Sequence, residues 1–249
     1  MTARRAKRST VRGRSRHNEA APAMPTRLER NLPLLKARLW PSEVVSEEWV
    51  LRDIGAGLRA ILVADEIDMA RSIVRADLER WAISEEEAWE LVRQNLRAEG
   101  LTPSTRKTSA DDGVRLSSLD CPTWHFASSH LLLMDDLVPA GLPYGVLVAV
   151  PRRSSLLYHV IEGEAALGRA CLALAVIAGG LFAEGPGSIS DRLFWWHDGL
   201  LSPIEVAPVV DPARGLYVAV ELPDELRARL GISDGEAVHP NACGGGLPQ

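Results

Sequence analysis

The densest run of side chains able to do chemistry is Asp120, Cys121, His125, His130, Asp135 and Asp136. Thiolates and imidazoles are zinc ligands, and a carboxylate can complete a tetrahedral set. The spacing argues against that use. His125 and His130 are five residues apart, about 140° round a helix, whereas a shared metal favours an i, i+4 pair. Pro122 also separates Cys121 from the helical stretch. Ser128 and Ser129 offer hydroxyls beside His130, but a serine and its base are rarely adjacent in sequence, and no GxSxG elbow occurs. Asp65, Glu66 and Asp68 follow an apolar run and could hold a divalent cation. The competing reading is a solvated turn. Gly55 and Gly57 precede a strand-like run instead of following one, so they make no phosphate-binding turn. No catalytic residue, metal or cofactor is assigned on these patterns.

Trp195, Trp196 and His197 are the remaining candidates. Alternation along a strand sends the two indoles to opposite faces, so at most one is expected in the core. The other, with His197, would contact a protein partner or a second copy of the chain, since Trp is a frequent interface anchor.

The elements that would position these residues follow from periodicity. Leu28, Leu32, Leu35 and Leu39 predict an amphipathic helix ending at Pro41, and a second short helix is expected over Glu47–Ile54. Leu58 to Ala64 fits a buried strand, with a turn at Asp65 to Asp68 and a short helix over residues 76–82. Ser84 and Glu87 form a capping-box pair, and Ala88, Leu91, Val92, Asn95 and Leu96 share the face of the helix they open, with Gly100 at its end. Residues 102–113 predict a loop, Val114–Leu119 a strand and Ala127–Leu137 a helix. A hairpin is expected from Gly145–Val150 and Leu156–Ile161, and another about Asp198-Gly199, between Arg192–Trp196 and Leu200–Val206. A strand at Leu216–Val220 and a short helix from Pro223 complete the pattern. This order predicts an α+β fold, a mainly antiparallel sheet packed against helices in a single globular domain. That domain spans 27–235, with a disordered basic tail at 1–26 and a flexible C-terminal tail at 236–249.

The 249 residues are 46% hydrophobic and 24% charged, which excludes collagen-like, disulfide-scaffold and wholly disordered chains. Residues 1–18 carry seven basic side chains and no acid, leaving 21 basic against 33 acidic groups in the rest. An acidic body argues against a nucleic-acid-binding folded surface, so only weak, salt-sensitive association through the tail is expected. No apolar segment follows the early positive charges, unlike a secretory signal. The Arg-rich, acid-poor start shares the character of a transit peptide, and Met24 is an alternative start, but a solvated tail is the simpler expectation. Three scattered cysteines fit a reducing cytoplasm. Ala165–Ala183, with Arg169 its sole charge, just reaches membrane-spanning length. Its glycines and flanking acids predict instead a buried core helix, with no membrane involved.

Ile61-Leu62-Val63-Ala64-Asp65, Asp77-Leu78-Glu79-Arg80-Trp81, Glu85-Glu86-Glu87-Ala88, Asn95-Leu96, Ser128 to Leu133 and Val148 to Arg153 together resemble the YtpQ-like family of bacterial proteins. The resemblance spans residues 28–231 and implies a compact cytoplasmic domain of unknown function, with no catalytic residues to carry over. The expectation is therefore a non-catalytic protein-interaction or regulatory module, binding an unidentified protein partner or self-associating. The alternative is a hydrolase or metal-dependent enzyme built on Asp120 to Asp136.

Overall fold

The computed structural model describes residues 32–66, 69–101, 106–111, 114–121, 125–211 and 215–233; the tails at 1–26 and 236–249 lie outside them. Where the leucine spacing predicts a helix, the chain forms strand β1 (Leu35–Pro41). Leu35, Ala37 and Leu39 are buried together. A four-residue spacing is common to a helix face and to every second strand position, and here the strand period prevails. The helix expected over Glu47–Ile54 is likewise absent: Trp49 makes a β-bridge to Val74, and β2 (Leu51–Gly55) follows. The expected buried strand is β3 (Leu58–Asp65), and β4 (Ala70–Ser72) pairs onto it.

Two helices come next, α1 (Arg75–Trp81) and α2 (Glu85–Glu99). The capping box forms as its sequence dictates. Ser84 Oγ accepts the Glu87 N–H at 3.1 Å, and Glu87 Oε2 accepts the Ser84 N–H at 2.8 Å. Ala88, Leu91, Val92 and Leu96 are buried, and Asn95 donates to the Leu35 carbonyl at 2.8 Å, tying α2 to β1.

β5 (Arg106–Asp111) is a strand where a loop is expected. It pairs with β6 (Val114–Asp120) from Arg106↔Leu119 to Asp111↔Val114. The helix expected over Ala127–Leu137 divides into a 3-10 turn, Ala127–Leu133, and a single α turn, α3 (Met134–Leu137). Nearly all of the 3-10 turn is buried, so no amphipathic stripe favours a regular α-helix there.

The hairpin β7 (Val146–Arg152) and β8 (Ser155–Val160) leads to α4 (Leu167–Glu184). β9 (Leu193–His197) and β10 (Leu200–Asp211) close on Asp198-Gly199, both with positive φ, as the dipeptide predicts. β11 (Gly215–Glu221) and α5 (Asp224–Leu230) end the described chain.

The strands run in the order β1-β3-β2-β10-β9-β7-β8-β6-β5, with β4 on β3 and β11 on β10. The fold is α+β and the sheet mostly antiparallel; among the described residues the single parallel contact is Leu201↔Gly55, joining β10 to β2. At that junction an added Cβ on Gly55 would lie 2.3 Å from the Leu201 carbonyl oxygen, so only glycine admits the approach.

Both faces of the central strands are buried. Val146, Val148, Phe194 and Trp196 join Trp89, Val92 and Leu96 of α2 in one core. Leu147, Ala149, Leu193 and Trp195 join Leu167, Cys171 and Leu174 of α4 and Leu226 of α5 in the other. β7 from Val146 to Val150 and β9 from Leu193 to Trp196 are apolar without alternation because each face has its own cover, at about 1.5–3 kcal/mol per large buried side chain.

This arrangement corrects the expectation for the tryptophans. Trp195 is 3% exposed and Trp196 8%, so both indoles are in cores, on opposite faces as alternation requires. It also qualifies the expectation for α4. One helix of the described chain, Leu167–Glu184, is long and apolar enough to cross a membrane, but only a third of it is buried in the fold.

Candidate functional site

The structure does not assemble the Asp120–Asp136 residues into one site. Asp120 Oδ1 accepts from Ser155 Oγ at 2.5 Å and from Arg152 at 3.3 Å. Cys121 is half-buried, His125 and Asp135 are exposed, and Asp136 pairs with Arg97 at 2.7 Å. His130 is buried. No group of three His, Cys, Asp or Glu side chains among the described residues is disposed to hold a metal. Cys171 is inert for another reason: burial pushes its thiol up to about 12, so almost no thiolate exists near neutrality.

The serine pair is enclosed by the fold. Ser128 and Ser129 are both buried, and Ser129 Oγ donates to the Ala37 carbonyl at 2.5 Å, holding the 3-10 turn against β1. The acids after β3 also turn away from a shared cation. Glu66 reaches Arg71 at 3.2 Å, and Asp65 reaches Lys36 at 2.8 Å; Asp68 lies outside the described residues.

What sequence reasoning missed is the centre that receives Asp65. The Lys36 side chain is 7% exposed and bridges Asp65 and Glu99, the latter at 2.5 Å. Its ammonium also lies 4.4 Å from the centre of the Phe126 ring. Lys36 comes from β1, Asp65 from the end of β3, Glu99 from the end of α2 and Phe126 from the start of the 3-10 turn. Lysine in an alternating strand was the available signal: Lys36 falls opposite to Leu35 and Ala37, yet β3 and Phe126 enclose that face too.

His130 lies in the field of this centre. Burial holds its imidazole below the ordinary histidine value, while the Phe126 and Ala127 carbonyls and the Glu99 charge pull the other way. A lowered native value means that the unfolded chain protonates first as pH falls. The neutral imidazole therefore contributes its full stability above about pH 6.5 and loses it as pH falls from there towards the native value. His130→Gln should flatten the decline in urea-unfolding free energy between pH 7.5 and 5.5 relative to the parent protein. An unchanged slope would show that His130 titrates alike in both states.

Two concavities accompany these groups. A groove of about 710 Å³ opens beside β8, with Arg115, Ser117, Tyr158, His159 and Glu162 on its walls. His159 Nδ1 is already 2.8 Å from the Arg115 carbonyl. A smaller cavity of about 120 Å³ lies at the β2–β10 junction, lined by Ile54, Leu131, Trp196 and Leu201 among others.

His197 stacks on Trp195, ring centres 5.0 Å apart, and Trp195 Nε1 donates to the Tyr144 carbonyl at 2.8 Å. The indole also closes over Gly145, where a Cβ would lie 2.7 Å from Nε1. These contacts fix the hairpin within its own chain and leave neither indole as an exposed anchor.

Exposed apolar side chains lie elsewhere: Val44, Met69 and Leu200 are scattered singly, whereas two are adjacent on α4. Val176 is 66% and Ile177 41% exposed, on the side of α4 turned away from the sheet. Compared with known proteins, the chain matches no family model, no curated protein and no solved structure.

Proposed function

We propose that the chain is a cytoplasmic, non-catalytic protein-interaction module of one domain, which docks its partner on the outer face of α4. The observation that carries this reading is the helix itself. Leu167, Ala170, Cys171, Leu174 and Ala178 hold one side in the core, while Val176 and Ile177 stand in solvent on the other. Adjacent exposed aliphatic side chains on a helix anchored to a sheet form a rigid apolar ridge, a feature that marks interaction sites. Several of the polar residues with reactive types have structural partners: Asp120 with Arg152, Asp136 with Arg97, Ser129 with Ala37.

A photo-reactive side chain placed at Val176 in intact cells tests the reading. Protein adducts should form there and be absent from a control at exposed Glu79. Adducts confined to lipid, or none at all, would refute it. Because both positions are exposed in the single chain, Val176→Asp with Ile177→Asp should leave the far-ultraviolet circular dichroism of the protein unchanged.

A further inference from the structure

We propose that the partner of α4 is a second copy of the same helix, packed antiparallel across a two-fold axis between Val176 and Ile177. This rests on the reading of α4 as a docking face and names its occupant. At about 100° per residue, Arg169, Ala173, Val176, Ile177, Gly180 and Glu184 fall within about 100° of arc. That arc lies opposite Cys171, Leu174 and Ala178, which are in the core. The 4-3-4 spacing of Arg169, Ala173, Val176 and Gly180 is the narrow seam of a helix pair.

The seam is complementary to itself when reversed. A dyad between Val176 and Ile177 sets Val176 against Ile177 of the other copy, Ala173 against Gly180, and Arg169 against Glu184. Small residues face small ones, letting the axes approach, while the aliphatic pair fills the centre. The only two charges of the helix meet at the ends with opposite sign.

Within one chain those charges are poorly used. Arg169 Nε is buried without a hydrogen-bond partner among the described residues. Glu184 is 67% exposed and touches Arg152 at 3.4 Å. A partner with a different helix would have to reproduce this size and charge order by chance; a two-fold axis supplies it automatically.

Gly180 provides the sharpest test, because a Cβ there meets nothing within 4 Å in the monomer. Sedimentation of the full chain over micromolar concentrations should show a species of twice 27.1 kDa. Gly180→Leu should weaken it about tenfold or more by wedging the axes apart, with the fold unchanged by circular dichroism. Arg169→Glu should weaken it about tenfold, and Arg169→Glu with Glu184→Arg should restore it, since the swap re-forms opposite pairs across the axis. A monomer at every concentration, or a dimer indifferent to Gly180→Leu and to the charge changes, overturns the proposal. If the chain is monomeric yet Val176 cross-links a different protein, self-pairing fails while the docking reading stands. If Val176 reaches only lipid, both fail.

Discussion

Gly55→Ala is expected to be the most damaging small substitution in the chain, costing about 4 kcal/mol or more by the combined effects of backbone strain and steric overlap. The φ of Gly55 is +89°, and its Cβ would stand 2.3 Å from one backbone atom of Leu201 and 3.0 Å from another. Neither atom belongs to a side chain that could rotate away. Since natural domains have only about 5–15 kcal/mol of stability, a loss of this size would leave a substantial unfolded population at 37 °C. Gly57→Ala is the internal control. Its φ is +75°, but its Cβ would meet nothing within 4 Å, so it should show strain alone, about 1–2 kcal/mol. Urea unfolding of the two variants separates the contributions. Equal losses would mean that the close approach to Leu201 is not needed for stability.

The second large effect is expected at Lys36. Lys36→Met removes a nearly buried cation and leaves Asp65 and Glu99 side by side without their counter-charge. Breaking a buried pair in this one-sided way costs about 3–5 kcal/mol, and the partial exposure of the two carboxylates, 29% and 24%, brings the expectation to about 2–4 kcal/mol. The companion variant Lys36→Met, Asp65→Asn, Glu99→Gln should recover most of that loss, because neutral amides tolerate the apolar neighbour. A triple variant as unstable as the single one would place the damage in packing against Phe126 and not in unpaired charge.

The sequence was most legible where structure is local. The Ser84–Glu87 box, the Asp198-Gly199 turn and the apolar run of α4 each specify an element within a few residues, and each is found. β1 shows where locality fails: Leu35 and Leu39 satisfy two periods, and β3, 20 to 30 residues later in the chain, decides between them through Leu35↔Ala64 and Leu39↔Ala60. The tryptophans show a different limit. Alternation correctly separates Trp195 from Trp196, but only the positions of α2 and α4 reveal that both sides of β9 are covered. The Lys36 centre draws on four segments spread from residue 36 to residue 126, with no shared spacing to announce it. Asp65 and His130 attracted attention for other chemistry, and Lys36, the residue that organises their surroundings, attracted none.

The junction at Gly55 has a consequence for movement. The described residues between 32 and 101 form β1 to β4 with α1 and α2, those between 106 and 233 form the other strands, and the ladder between these blocks has a single register pair. Coupling across it passes instead through side chains: Ser129 on Ala37, Arg97 on Asp136, and Arg153 over the Trp40 ring at 4.8 Å. Such contacts tolerate sliding better than a continuous ladder, and the 120 Å³ cavity beside Leu201 provides local room. Yet sliding along the line between β2 and β10 would also have to shear the core that α2 shares with β7 and β9, so it is this common interior, and not the ladder, that holds the two blocks together.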